Sequence, residues 1–269
     1  MPSVNTGKNK IKSIKIYKDH VTLSFAKREK LQISKDAYLS SYLYEGKNLS
    51  NKEIDKLKEI TALSSLYNFA LSLVAKRRYS ERKMFEKLKA KEDNKTAIIA
   101  VINKLIANGL IDDKTYMMDL INWDEERKFG KNKIIKHLKE QGIPDSLVSK
   151  ARFSSANELK KANLLLPNLE NKYDHYAFEG KKKHIFNALI SQGYDIETAK
   201  QVCGDTKKDK PSKEKEKLLK DYQKIKKRYE NKYEGYELNK KIYAALANKG
   251  YKHSEIKTVL EENSYENDY

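Results

Sequence analysis

A recurring arrangement of glycine and aromatic residues constrains the fold of this chain more than any other feature. Gly130, Gly180 and Gly235 each follow an aromatic residue by one or two positions, and each begins a lysine-rich segment. Ser80 holds the same place after Tyr79, so the four starts are 50, 50 and 55 residues apart. A period of this length is typical of proteins built from repeated helical units.

Each start is followed by a predicted helix whose buried face is marked by one leucine, namely Leu88, Leu138, Leu189 and Leu246. The last three leucines are followed four residues later by a glycine, which ends a helix easily in the left-handed conformation, at Gly142, Gly193 and Gly250. A hydrophobic residue and a short helical segment with a valine come next, at Ile143 and Val148, Tyr194 and Val202, and Tyr251 and Val259. The unit is therefore a long helix, a basic middle helix and a short third helix.

Repeated units of this kind bury their apolar faces against their neighbours. We therefore predict a mainly α fold of tandem three-helix, helix-turn-helix-like repeats that form an elongated curved array. The alternative is that four unrelated helical hairpins share the same turn chemistry. The predicted repeats cover 50–110, 111–152, 153–204 and, in degenerate form, 212–262, with a basic linker at 205–211 and a tail at 263–269.

Residues 1–48 are predicted to form a small β-α module. Apolar residues alternate with polar ones, as in a half-buried hairpin, at Ile14, Ile16, Val21, Leu23 and Phe25. A third strand is expected over 30–33, followed by a helix that begins after Ser34, includes Tyr42 and ends at Gly46. Ser50 and Glu53 then form a capping box at the start of a long helix, or of two joined helices, with an apolar stripe that reaches Val74.

The charge of the chain indicates its class of partner. Lysine and arginine total 56 against 38 aspartate and glutamate residues, a formal net charge of +18. Such a surplus favours a nucleic acid or a nucleoprotein surface as the partner. Cys203 is the single cysteine, which excludes a disulfide framework within the chain, and residues 1–11 lack the apolar core of a signal peptide. Without an apolar run long enough for a membrane span, a cytoplasmic protein is expected.

Residues that could carry chemistry are scattered. Neither Gly46 nor Gly130 has the spacing of a phosphate-binding loop, and the five histidines are not at zinc-ligand spacing, so no catalytic residue, metal or cofactor is expected. The pair Asp112 and Asp113 is interpreted as a helix cap rather than an acid/base pair. Trp123, close to Leu120 and Ile121, is interpreted as a core residue, although an exposed tryptophan could stack on bases.

Two segments resemble the RecX family. Residues 70–80, with Met84 and Leu88, are similar to its first repeat, and residues 105–116 resemble its most recognisable segment. The second repeat of that family is matched by Gly130, Ile134, Leu138, Gly142 and Ile143. The resemblance is specific over 62–151 and looser to about 260, Lys83 and Met117 depart from it, and the N-terminal hairpin matches longer members only.

The resemblance implies a regulatory protein that binds RecA filaments on DNA and inhibits filament extension, strand exchange and ATP hydrolysis, in DNA repair, recombination and the SOS response. The residues themselves predict no enzyme activity, no cofactor and no membrane association. Contact with single- or double-stranded DNA is expected to be weak or made through the filament. The chain is expected to act as a monomer. The alternative is an architectural or transcriptional DNA-binding protein that uses repeated helix-turn-helix units.

The candidate contact residues are the basic clusters at the starts of the middle helices. They are Arg77, Arg78, Arg82, Arg127, Lys128, Lys131, Lys133, Lys181, Lys182 and Lys183. Aligned by the repeat, they are expected to project into solvent and form one positive stripe that meets acidic recombinase surface or DNA phosphates. The alternative is a solvated lysine-rich face with no partner.

Overall fold

A computed structural model describes residues 8–26 and 29–264. Part of the segment examined for a signal peptide (1–7) and most of the predicted tail (265–269) lie outside the described residues. The chain divides into two compact units, one of residues 1–117 and 141–144, the other of residues 118–140 and 145–269.

The first unit begins with the predicted small sheet. Strands β1 (Ser13–Ile16), β2 (Val21–Ser24) and β3 (Lys30–Ile33) are antiparallel in the order β1-β2-β3. Leu23 lies opposite Ile14 on one side and Leu31 on the other, and its side chain is fully buried. The hairpin and the third strand are confirmed.

The helix after the sheet is shorter than predicted. Helix α1 (Lys35–Leu39) is capped by Ser34, whose hydroxyl accepts the Ala37 amide at 3.0 Å, as expected. The prediction that it includes Tyr42 and runs to Gly46 is wrong, because Tyr42 lies beyond it and is 86% exposed. The Gly46 amide donates instead to the Ile11 carbonyl, so the backbone must leave the helix to pair with the chain before β1.

The first three-helix repeat follows. Helix α2 (Asn51–Val74) is one continuous helix, and both hydrogen bonds of the Ser50–Glu53 capping box are present. Helices α3 (Glu81–Lys89) and α4 (Lys95–Ala107) pack against it. In the core of this repeat, Ala70, Met84, Leu88, Ile98 and Leu105 are fully buried.

Nine further helices follow in sets of three. They are α5 (Asp113–Glu126), α6 (Lys131–Glu140), α7 (Asp145–Val148), α8 (Ser155–Lys172), α9 (Phe178–Ser191), α10 (Ile196–Gly204), α11 (Pro211–Tyr229), α12 (Gly235–Asn248) and α13 (His253–Ser264). The marker leucines Leu88, Leu138, Leu189 and Leu246 are all fully buried. The fold of tandem three-helix repeats after a small N-terminal sheet is confirmed, while the exact repeat boundaries and the elongated shape stay predictions.

A hydrogen bond joins the start of three middle helices to the turn that follows the middle helix of the next repeat. We call this contact the repeat joint. Each acceptor is the carbonyl of the residue before a turn glycine, and the bonds are Ser80 Oγ to Gln141 O (2.6 Å), Gly130 N to Gln192 O (2.9 Å) and Ala177 N to Lys249 O (3.1 Å). The first joint lies within the first unit and the other two within the second.

The repeat joints of the second unit leave no room for side chains. A Cβ atom on Gly130 would lie 2.4 Å from the Gly193 backbone, and one on Gly180 would lie 2.2 Å from the Lys249 carbonyl oxygen. The turn glycines Gly193 and Gly250 also have φ angles of 93° and 91°, which favour glycine. Glycine is therefore required on both sides of these joints, for space on one side and also for conformation on the other.

Candidate partner-binding surface

The candidate arginines of the first unit follow α2. The Arg77 guanidinium lies 4.4 Å from the centre of the Tyr79 ring, and Arg82 on α3 lies 3.7 Å from the Glu86 carboxylate. All three arginines, including Arg78, are exposed. Their charges therefore reach the surface of this unit, as the sequence predicts.

Arg78 also lines a groove of about 580 Å³ in the first unit. Its walls come from the end of α2 and from the turn before α5, which are the two segments that carry the family resemblance. Leu110 lies in this groove and is 41% exposed. The groove thus offers an apolar floor with a cation at its edge.

The two aspartates beside this groove cap helices: Asp112 caps the helix that follows it, as predicted, whereas Asp113 caps an earlier helix. Asp112 accepts the amides of Lys114 and Thr115 at the start of α5, and the hydrogen bonds from Thr115 lower the pKa of its carboxyl. Asp113 accepts the Glu81 amide at 2.9 Å, so it caps α3. Burial raises the pKa of Asp113. Both carboxylates are used in helix capping.

In the second unit, Arg127 and Lys133 lie on an aromatic pair. The Arg127 guanidinium is 4.7 Å from the ring centres of both Trp123 and Phe129, and Lys133 Nζ is 3.7 Å from that of Phe129. Such contacts hold a cation over a ring face without neutralising it. Arg127 is exposed and Lys133 is half-buried.

The prediction that Trp123 lies in the core is wrong. Its side chain is 52% exposed, whereas Leu120 on the same helix is buried. Helical spacing placed Trp123 near apolar residues, but the apolar face of α5 turns away from it. The sequence signal for a surface site was the Trp-x-x-x-Arg spacing, which sets Trp123 and Arg127 on the same helix face.

Lys128 and Lys131 have structural partners. Lys128 has a φ of 57°, and its carbonyl accepts the Tyr194 hydroxyl at 2.7 Å. Lys131 Nζ lies 2.7 Å from Asp195, and this contact raises the pKa of Lys131. Hydrogen bonds from Lys131 and from the Thr198 amide, which Asp195 accepts as the N-cap of α10, lower the pKa of Asp195 to about 2. The charge of Lys131 is thus largely neutralised inside its own unit.

The three consecutive lysines of α9 do not all project into solvent. Lys181 is only 6% exposed, and its Nζ donates to the Asp174 carboxylate at 3.1 Å, so the prediction that it lies in an exposed stripe is wrong. Consecutive residues of a helix point about 100° apart, so one of three adjacent lysines can face the core. Lys182 lies 5.5 Å from the Phe178 ring centre, and Lys183 is exposed.

A ring with a cation on its face recurs beside the start of each middle helix. The pairs are Arg77 on Tyr79 (4.4 Å), Arg127 on Phe129 (4.7 Å), Lys182 on Phe178 (5.5 Å) and Lys241 on Tyr233 (5.2 Å). In the sequence, the aromatic residues served only as repeat markers, so neither this pairing nor Lys241 was predicted. The repeated unit of the surface is therefore a ring-held cation rather than a run of lysines.

The described ranges 8–26 and 29–264 contain no group of three histidine, cysteine, aspartate or glutamate residues placed to hold a metal ion. Within the same ranges, no helix has both the length and the apolar character that a membrane crossing requires. Cys203 is buried, and burial raises the pKa of its thiol. The surface geometry thus consists of charges, rings and grooves.

No protein-family model matches the chain. A protein named Regulatory protein RecX from Streptococcus agalactiae serotype Ia is 25% identical over 256 residues, which cover 94% of this chain and 99% of the relative. Another of that name from Streptococcus pyogenes serotype M1 is 26% identical over 242 residues, or 86% of this chain and 91% of the relative. The chain is a homologue of the RecX regulatory proteins.

The fold agrees with this relationship. A crystal structure of a regulatory protein RecX superposes with a TM-score of 0.61 and 18% identity, covering 74% of this chain and 99% of that one. That likeness concerns the fold, because the identity is low. The arrangement of helical repeats in this chain is therefore shared with a solved RecX protein.

Proposed function

We propose that this chain binds RecA filaments assembled on DNA and inhibits filament extension, strand exchange and ATP hydrolysis by the recombinase. The observation that carries the proposal is the extent of the match, because a protein named Regulatory protein RecX aligns over 99% of its own length. RecA enters through the family resemblance of residues 70–80 and 105–116. No chemistry by the chain itself is required.

The repeated ring-held cations supply a physical mechanism. A filament on DNA presents the same surface many times, and a chain with several similar cationic sites can contact several protomers, or the phosphates between them, together. Linked weak sites act at high effective concentration, so the whole chain binds far more tightly than one repeat. A regulator that binds one state of the filament better than another shifts the balance between those states.

The start of the middle helices bears on the alternative function. A helix-turn-helix protein reads bases with the first residues of its second helix. Here those residues of α6 are packed in a repeat joint, with the Gly130 and Asn132 amides bonded to the 192–193 turn. The start of α9 is held in the same way by the 249–250 turn. Because a turn packs against the backbone of both helix starts, this arrangement disfavours reading of the DNA major groove by α6 and α9.

The test is the ATPase activity of RecA on single-stranded DNA with substoichiometric amounts of this protein. We expect inhibition that weakens as salt is raised, because the contacts are charged. The double variant Lys182→Glu and Lys183→Glu should need roughly tenfold more protein for the same inhibition. The matched control, Lys224→Glu with Lys227→Glu on α11, makes the same charge change at two exposed lysines and should inhibit like the wild type.

Two results would contradict the proposal. One is the absence of any effect on the ATPase at equimolar protein. The other is nanomolar binding to naked duplex DNA at physiological salt with no further gain when recombinase is present, which would favour the architectural or transcriptional alternative.

A further inference from the structure

The second unit contains a groove of about 590 Å³ that none of the preceding contacts explains. One wall comes from α5 and the 127–129 turn, another from α6, and the third from the end of α9. Trp123 and Phe129 supply rings, and Ile190 supplies an aliphatic surface. The charged residues are the cations Arg127, Lys133 and Lys136 and the carboxylate Glu140. We call it the tryptophan groove.

The indole of Trp123 is covered by a cation and is also partly open to solvent. The Arg127 guanidinium lies 4.7 Å from its centre and covers one face, yet the residue remains 52% exposed. A large aromatic side chain that is covered on one face and still half exposed presents its other face and edge to solvent. His137 supports the position from the side, since its ring centre lies 6.1 Å from the indole and its Nδ1 is 2.6 Å from the fully buried carboxylate of Asp124.

The cations of the groove suit phosphate groups beside that ring. Lys136 is exposed, and its Nζ is 3.9 Å from Glu140, a loose surface pair that another anion can replace. Lys133 Nζ lies over Phe129 and 3.1 Å from the Gln192 amide oxygen, so a ring and a neutral amide hold its charge at the groove. Three cations against one carboxylate leave the groove positive.

We infer that the tryptophan groove binds single-stranded nucleic acid, with one base stacked on the Trp123 indole and neighbouring phosphates on Lys133 and Lys136. An acidic peptide would use the cations but has no need of the open indole face, whereas a nucleotide strand uses both. Bases in a duplex are already stacked, so the site selects single strands, and every base has a ring face, so it is indifferent to sequence. This inference goes beyond the proposed function, and its test contains no recombinase.

Trp123 is the single tryptophan of the chain, so intrinsic tryptophan fluorescence reports on this groove alone. Titration of the full chain with oligo(dT) of about 15 nucleotides should quench the emission, because the base stacks on the indole. With two phosphate contacts, the logarithm of the affinity should fall with the logarithm of the salt concentration at a slope of about −1.4. Polyglutamate and a duplex of matched charge should quench much less.

Fluorescence anisotropy of a labelled oligo(dT) measures the variants that lack the indole. Trp123→Ala should weaken binding about 5- to 150-fold, the effect of losing one stacked base, and Trp123→Phe should recover most of it. The matched control is Tyr236→Ala, which removes another exposed aromatic of the same unit, 79% exposed, from outside the groove. Its affinity should stay within about twofold of the wild type.

Equal quenching by polyglutamate would overturn the inference, because the groove would then respond to charge alone. So would binding of oligo(dT) without a change in emission, or an unchanged affinity of a Trp123→Ala variant whose thermal melt matches the wild type. Since recombinase is absent, these outcomes leave the ATPase proposal standing. Conversely, if oligo(dT) quenches the tryptophan fluorescence but the protein has no effect on RecA, only the proposed function is contradicted.

Discussion

Two middle helices of the second unit have a glycine at or near their start, and each helix requires that glycine for a different reason. Gly180, near the start of α9, lies against the 249–250 turn, where a Cβ atom would be 2.2 Å from a carbonyl oxygen. Gly235, at the start of α12, has no atom within 4 Å of such a Cβ atom, and its φ is 52°. Glycine is thus needed for space in an interior repeat and for backbone conformation in the last described one.

The residues that follow the two glycines also differ, in their burial. Lys181 is buried beside the repeat joint and bonded to Asp174, whereas Tyr236, which follows Gly235, is 79% exposed. An aligned repeat therefore does not imply an aligned environment. Burial at these positions is set by whether a following turn packs on the helix start.

The largest expected difference between the two helix starts is the loss of stability when each glycine is replaced by alanine. Gly180→Ala should lower the free energy of unfolding by about 3 kcal/mol or more, because the new methyl group meets backbone that cannot move aside alone. Gly235→Ala should cost only about 1 to 2 kcal/mol, the price of a left-handed alanine. Urea unfolding of both variants, followed by circular dichroism, measures the difference. Equal losses would mean that the joint yields easily and that space is not the reason for Gly180.

A second expected difference concerns two lysines near the repeat joint, one nearly buried and one exposed. Lys181→Glu should cost about 2 kcal/mol, because it removes a nearly buried cation from Asp174 and adds a like charge, while the partial exposure of Asp174 reduces the loss. Lys183→Glu, two residues later on the exposed face, should change the free energy of unfolding by less than about 0.5 kcal/mol. Thermal melts of the two variants provide the comparison.

A melt of Lys181→Glu that matches that of Lys183→Glu would show that Lys181 reaches solvent. In that case the run 181–183 would regain its place in the predicted positive stripe.

Local signals predicted what depends on local structure. Leu189 and Gly193 could be assigned because one marks a helix face and the other ends that helix, four residues apart. The joint between Gly130 and Gly193 could not, since no local period links residues 63 positions apart. The sequence likewise predicted a face for Trp123 but not which neighbour covers it.

The candidate site shows the same limit. Composition and repeat position identified the cations, and Arg127 and Lys183 are indeed exposed. Composition and repeat position do not identify the carboxylates that pair with these cations. Asp174 holds Lys181 away from the surface, and Asp195 neutralises Lys131. A charge that finds a distant carboxylate leaves the binding surface, and sequence alone does not reveal that pairing.

The smallest expected effect concerns acid. In the interior repeat, Asp195 lies two residues after the turn glycine Gly193, whereas Lys252 holds that place after Gly250. Asp195 receives hydrogen bonds from Lys131 and Thr198, and these lower its pKa to about 2. A carboxyl with a pKa below its unfolded value, about 3.9, stabilises the fold fully above that pH, and the contribution is lost as pH falls towards 2.

The variant Asp195→Asn keeps a side chain that can cap α10 but removes this titration. We expect the wild type to be the more stable above pH 4, by less than about 1 kcal/mol because both partners are about a third exposed, and the two proteins to converge as pH approaches 2. Urea midpoints measured across this window test the expectation. Lys131→Met, which leaves Asp195 in place without its cation, should flatten the wild-type dependence in the same direction. Parallel pH profiles for all three proteins would mean that the interior joint has no acid-sensitive contact and resembles the last repeat in this respect.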